Sequence, residues 1–162
     1  MDLWLLRHAE AEARAASGQD QDRALTAAGI AQAKAVARGI AALAPAIRFI
    51  LTSPYLRARQ TAEPVAEALG LAGIRPSRAL EPGSDPEAIL SELGEAGDDS
   101  FLLVGHAPQL GRLLGRLVTG EPDGDIPMSK AGAAWMSLEV LERRGRLRAF
   151  LSARVLERLG VL

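Results

Sequence analysis

Apolar and polar positions along the chain fall into blocks of two periods. Leu3-Trp4-Leu5-Leu6 is a short apolar run cut off by Arg7, and residues 47–51 and 101–104 form two more. Runs this short, bounded by charge or turn residues, predict strands buried on both faces. Between them the period lengthens. From Thr26, a suitable N-cap, Ile30, Ala33, Val36, Ala37, Ile40 and Leu43 recur at helical spacing until Pro45 stops them. A second helix is expected over residues 55–69, with Ser53 as cap, Pro54 at the first helical position and Gly70 as the stop. Asp85-Pro86 opens a third helix with Ile89, Leu90 and Leu93 inward, ended by the Gly97-Asp98-Asp99 turn. Pro108 opens a fourth through Leu110, Leu113, Leu114, Leu117 and Val118.

The remaining segments are polar or rich in Gly and Pro. Residues 11–22 read as a loop, and residues 71–84 as a loop with a short edge strand near Ile74. After a loop over 120–127, residues 134–142 and 147–155 read as two strands of a hairpin turning around Arg144-Gly145. Strands alternating with helices, followed by a hairpin, predict a three-layer α/β/α sandwich with a mainly parallel central sheet and a C-terminal antiparallel hairpin. No repeat, low-complexity tract or linker divides the chain, so a single domain over 1–162 is expected.

Composition narrows the function classes. The 162 residues are 48% hydrophobic, enough for a core without disulfide staples, and a net charge of -1 argues against nucleic-acid binding by bulk charge. The chain has no cysteine, which removes disulfides, thiolate metal sites and thiol nucleophiles together and fits a reducing cytosol. The N-terminus lacks a basic stretch and has only four apolar residues before a charge, so neither a signal peptide nor a membrane span is expected. A soluble cytoplasmic protein is the expectation.

Open α/β sheets bind ligands at the carboxyl ends of their strands. Three strands end in suitable residues: the first in Arg7-His8, the second in Thr52-Ser53 with Arg57 one turn into the next helix, and the third in Gly105-His106. A single histidine at a strand end is more often a cap or a core-edge residue. Here both histidines of the chain follow buried strands and face the same edge as two arginines. Arginine grips phosphate oxygens with a planar fork that keeps its charge, and a neutral imidazole nitrogen can attack phosphorus. Cations around an imidazole lower its pKa and keep it neutral. Most of the 17 arginines need no such role, and Arg143, Arg144, Arg146 and Arg148 around the hairpin read as solvated surface.

Four motifs carry a resemblance to a known family. Arg7-His8-Ala9 follows the first strand, and Arg23-Ala24-Leu25-Thr26 with Gly29 opens the first helix. Ser53-Pro54-Tyr55-Leu56-Arg57-Ala58-Arg59-Gln60-Thr61-Ala62 and Val104-Gly105-His106-Ala107-Pro108 follow. In this order they resemble the histidine phosphatase superfamily, in its branch related to phosphoglycerate mutase, and within it the small bacterial phosphohistidine phosphatases of the SixA type. The shared pattern spans residue 1 to about residue 118. The resemblance implies that His8 is the nucleophile that becomes phosphohistidine. It also implies that Arg7, Arg57 and His106 hold the phosphoryl oxygens, with Arg23 as a further substrate-binding residue. A phosphorylated protein such as a histidine phosphotransfer domain is then the expected partner, and a monomer without cofactor or metal the expected form.

Two departures from the family pattern stand out. Ala9 replaces the usual glycine after the nucleophilic histidine. Mutases and broad phosphatases of the family place a catalytic glutamate in a mid-chain insertion, where this chain has a compact loop with Glu81 and Asp85. Glu81 is the candidate for such an acid, and the expectation is that it is only a solvated loop residue. The competing functions are a phosphatase for a small phosphorylated metabolite and a catalytically silent phosphoprotein-binding module. Against the first stands the shortness of the loops, and against the second the intact set of His8, Arg7, Arg57 and His106. Two histidines without metal-ligand spacing make a metal-dependent hydrolase the weakest reading.

Overall fold

The computed structural model describes residues 1–43, 46–97, 99–139 and 141–161. Six strands form one sheet in the order β3-β2-β4-β1-β5-β6: β1 (Asp2–Arg7), β2 (Phe49–Thr52), β3 (Arg75–Pro76), β4 (Phe101–Gly105), β5 (Ala133–Glu139) and β6 (Arg144–Leu151). The first four run parallel, β5 is antiparallel to β1, and β6 is antiparallel to β5. The helices are α1 (Ala27–Leu43), α2 (Leu56–Leu69), α3 (Pro86–Ala96), α4 (Gln109–Thr119) and α5 (Ala153–Leu159). The architecture is the expected sandwich.

Burial on both faces explains the uninterrupted apolar runs of β1 and β4. Trp4, Leu6, Leu102 and Val104 pack with Val36, Ile40 and Val65 of α1 and α2, while Leu3, Leu5, Phe101 and Leu103 pack with Ile89, Leu93, Leu110 and Leu114 of α3 and α4. Trp4 lies opposite Trp135 across the β1–β5 ladder, with ring centroids 5.4 Å apart and planes 5° from parallel. Among the helical repeat of α1, Ala33, Val36, Ala37 and Ile40 are buried, whereas Ile30 and Leu43 are about 40% exposed. Thr26 caps α1 through its Oγ1, which accepts from Gly29 N at 2.9 Å, and Asp85 caps α3 through an acceptor bond from Glu87 N, also 2.9 Å. Pro45 and Asp98, read as helix and turn stops, lie outside the described residues, as does Val140 of the expected strand 134–142.

The structure departs from the sequence reading in three places. The hairpin does not turn at Arg144-Gly145; these residues pair with Glu139 and Leu138 inside β6, and Arg143 before them takes a positive φ of 51°. Gly145 meets a packing need instead, since a Cβ there would lie 2.8 Å from Met136 Sδ. The second hairpin strand ends at Leu151 rather than running to 155, because the chain turns into α5 and buries Leu156 against α1. Seven residues are too few for a helical repeat to declare itself. Finally, α2 begins at Leu56 with Tyr55 as its N-cap, so Ser53 and Pro54 precede the helix. Among the described residues no helix is long and apolar enough to cross a membrane.

Candidate active site

Three neighbouring parallel strands, β2, β4 and β1, end at one edge of the sheet, and the ladder continues one residue beyond them. His8 N donates to Gly105 O at 3.0 Å, and Ser53 N donates to Val104 O at 2.9 Å. These bonds bring Arg7-His8, Ser53 and His106 into one cluster. The rings of His8 and His106 lie 5.1 Å apart between centroids, inclined by 59°. Tyr55 packs edge-on against His106 at 5.4 Å, and the Arg57 guanidinium lies 5.1 Å from the Tyr55 ring centroid. Arg57 reaches this position from the first turn of α2, whose Thr61 Oγ1 donates to Arg57 O and accepts from Ala9 N at 3.1 Å. Ala9 is wholly buried among core residues, so its methyl group is accommodated in the core.

The protonation of His8 follows from its contact. Its Nδ1 lies 2.7 Å from Ala9 O, and a carbonyl can only accept, so Nδ1 carries the proton and Nε2 keeps its lone pair. Burial pushes the His8 pKa from 6.5 down to about 4; the Ala9 carbonyl opposes this shift, and Arg57, Arg7 and Arg23 reinforce it. Burial also pushes His106 down to about 3, aided by His8, Arg57 and Arg7 and opposed by Asp20. Both rings are therefore neutral near pH 7. The cations invoked from the sequence act in the expected direction, but desolvation is the larger cause.

The other expected residues have definite partners. Arg7 Nη1 donates to Met128 O at 2.7 Å, and its Nε is buried without a hydrogen-bond partner among the described residues. Arg57 is only 5% exposed, and donates from Nη1 to Asp20 O at 2.8 Å and from Nη2 to Asp20 Oδ2 at 3.0 Å. Arg23 donates from Nη1 to Asp20 Oδ1 at 2.8 Å and from Nε to Glu12 O at 2.6 Å. Glu81 closes a 3-10 turn over Arg78–Leu80, in a loop clamped to the start of α4 by Gln109, whose Nε2 donates to Ala79 O at 2.7 Å and Ser84 O at 3.3 Å.

Two contributors, Asp20 and Gln109, escape the sequence reading, and so does the contact that Ser53 makes. Asp20 lies in a polar loop with no apolar period to place it, and its only local sign is its position three residues before Arg23. Ser53 belongs to the expected strand-end edge and has the signature of a helix cap, yet its Oγ sits 2.8 Å from His106 Nε2. Gln109 is buried at a helix start, where nothing in its neighbours marks it. Among the described residues no group of three or more His, Asp or Glu side chains is placed to hold a metal ion.

A family model described as Histidine phosphatase superfamily (branch 1) matches residues 3–81. The chain is 35% identical over 127 residues to Phosphohistidine phosphatase SixA of Escherichia coli (strain K12), which spans 75% of this chain and 76% of that protein. It is 39% identical over 137 residues to an uncharacterised protein of Picosynechococcus sp., covering 82% of each. The solved structure of the protein histidine phosphatase SixA complexed with tungstate superposes with a TM-score of 0.83 at 28% identity, covering 95% of this chain and 98% of that one.

Proposed function

The chain belongs to branch 1 of the histidine phosphatase superfamily, and from that premise we propose that it removes the phosphoryl group from phosphohistidine of a signalling or phosphotransfer protein through a covalent intermediate on His8. The observation that carries this reading is the Nδ1–H of His8 on Ala9 O, which directs a neutral Nε2 lone pair away from the backbone. In the first step a bond forms between Nε2 and phosphorus as the bond from phosphorus to the substrate's imidazole nitrogen breaks. The leaving imidazole keeps the electron pair and takes a proton from solvent. In the second step water attacks phosphorus, His8 leaves with the electron pair, and inorganic phosphate departs.

Arg7, Arg57 and His106 hold the equatorial oxygens, where charge is spread in the transition state, with Arg23 beside them. When the Ser53 hydroxyl donates to Nε2 of His106, the ring proton sits on Nδ1, a buried atom without a hydrogen-bond partner among the described residues, like Arg7 Nε. Bound phosphoryl oxygens are the acceptors that such donors lack. The related structure is complexed with tungstate, an oxyanion of similar shape to phosphate, and this supports an oxyanion as the ligand of this fold.

The test incubates the purified protein with labelled phosphohistidine and phosphoserine substrates side by side. Label is expected on the wild-type protein after an alkaline quench and not after acid, because a P–N bond is acid-labile, and phosphohistidine is expected to turn over faster. Acid-stable label, or label that persists in His8→Ala, excludes the mechanism.

A further inference from the structure

We propose that Asp20 is a positioning residue for the reaction, fixing the plane of the Arg57 guanidinium and holding Arg23 beside it. This inference rests on the phosphatase reading above. One residue occupies both terminal nitrogens of Arg57, taking Nη1 on its main-chain oxygen and Nη2 on its carboxylate. Two acceptors on two nitrogens of a planar group define that plane, and a rotation of the guanidinium would break both bonds together. The Tyr55 ring limits one face of the same group. Each terminal nitrogen keeps a second hydrogen, and Nε keeps its own, so the fork retains donors for a phosphoryl group after Asp20 is satisfied.

The second carboxylate oxygen extends the arrangement. By accepting from Arg23 at 2.8 Å while Oδ2 accepts from Arg57, one carboxylate draws together two guanidinium groups that would otherwise repel each other. Asp20 is itself held by its loop: its carbonyl also accepts from Arg23 N at 3.2 Å, and Asp22 two residues on accepts from Ser17 Oγ at 2.7 Å. The 3-10 turn at Asp20–Asp22 is therefore braced by bonds within its own loop, and the Asp20 side chain is 53% exposed. An exposed carboxylate that served only solubility would need neither contact with a nearly buried arginine nor a main-chain bond to the same group. Its exposure also means that replacing it leaves no hole in the core.

The test compares Asp20→Asn and Asp20→Ala in wild-type and Arg57→Ala proteins, reading kcat and KM on a phosphohistidine substrate. In the wild-type background kcat is expected to fall on the order of 10–100-fold, as misplacement of a binding group does. In the Arg57→Ala background the same changes are expected to cost several-fold less, because the larger part of the effect acts through Arg57 and only the part through Arg23 is left. An independent readout is the nitrogen-15 NMR signal of the Arg57 Nη protons. These are expected as resolved signals in the wild-type protein and as an averaged signal in Asp20→Asn. Equal losses with and without Arg57, or an unchanged kcat, overturn the proposal. A rise in kcat/KM also overturns it, since that is the sign of a carboxylate competing with substrate for the arginines. Failure of the phosphatase reading is distinguishable: the wild type would then show no turnover of phosphohistidine, or turnover unaffected by His8→Ala, while the NMR comparison would still report the Asp20–Arg57 pair.

Discussion

Ser53 Oγ lies 2.8 Å from His106 Nε2, joining the end of β2 to the residue that follows β4. It is the polar contact of a ring whose other nitrogen has no hydrogen-bond partner among the described residues. Ser53→Ala removes it and frees the ring to turn. A loss on the order of 1 kcal/mol is expected, which is about five- to tenfold in kcat if it falls on the transition state. Steady-state kinetics on a phosphohistidine substrate check this, and an unchanged kcat would mean that packing alone holds the ring.

Arg57→Lys is expected to behave as a severe change despite preserving the charge. Lysine cannot occupy two acceptors of Asp20 and a phosphoryl oxygen with one planar group, and loss of a preorganised transition-state donor costs on the order of 10²–10³ in kcat. Arg59 is exposed on the same helix, and Arg59→Lys should change kcat by less than about twofold. Equal effects at the two positions would reduce Arg57 to a structural cation.

Stability should fall as the pH drops below that of a free imidazole. The folded-state pKa values of His8 and His106, about 4 and about 3, lie below the ordinary 6.5. The unfolded chain therefore takes up protons from pH 6.5 downward while the folded protein does not. The contribution of the neutral rings is complete above 6.5 and is lost as the pH falls toward those lower values. Asp20, whose pKa the Arg23 and Arg57 contacts lower, loses its contribution only in more acid solution. Thermal unfolding measured between about pH 7 and pH 5 isolates the histidines, because most carboxylates stay ionised there. The slope should be smaller in His8→Asn and His106→Asn than in the wild type; a slope unaffected by either substitution would refute the assignment.

Glu81→Gln separates the substrate classes. A phosphate monoester expels a poor alkoxide and benefits from a general acid, whereas the imidazole of phosphohistidine leaves readily. Phosphohistidine hydrolysis should be nearly unchanged by the substitution, and the wild type should be slow on sugar phosphates and phosphoglycerates. Rapid turnover of a small monoester that is lost in Glu81→Gln but kept in Asp85→Asn would assign the protein to metabolite chemistry.

Gly39→Ala tests the packing of α5. Helix propensity alone favours alanine by about 1 kcal/mol. A Cβ at this position, however, would lie 2.0 Å from Leu156 O, a backbone atom that moves only if α5 moves. The melting temperature should therefore fall, by the equivalent of about 1–3 kcal/mol. A rise would show that α5 is loosely held.

The sheet and the location of the site were legible in the sequence because each depends on a local signal. Strands buried on both faces need unbroken apolar runs, so Leu3-Trp4-Leu5-Leu6 and Phe101-Leu102-Leu103-Val104 announced themselves, and parallel order sent Arg7-His8, Ser53 and His106 to one edge. The helices α1, α3 and α4 showed through their repeats and caps for the same reason. What stayed hidden was decided by contacts between residues far apart in the chain. Ser53 has the signature of a helix cap, and only the adjacency of β2 and β4 turns it toward His106. Gly145 resembles a turn glycine until Met136 is seen beside it, and α5 is too short to show a period without α1 to pack against. Asp20 lies 37 residues from Arg57, and no periodicity could pair them. Burial, which lowers both histidine pKa values more than the neighbouring charges do, is likewise a property of the assembled layers, because desolvation depends on everything that surrounds a ring and not on the residues next to it in sequence.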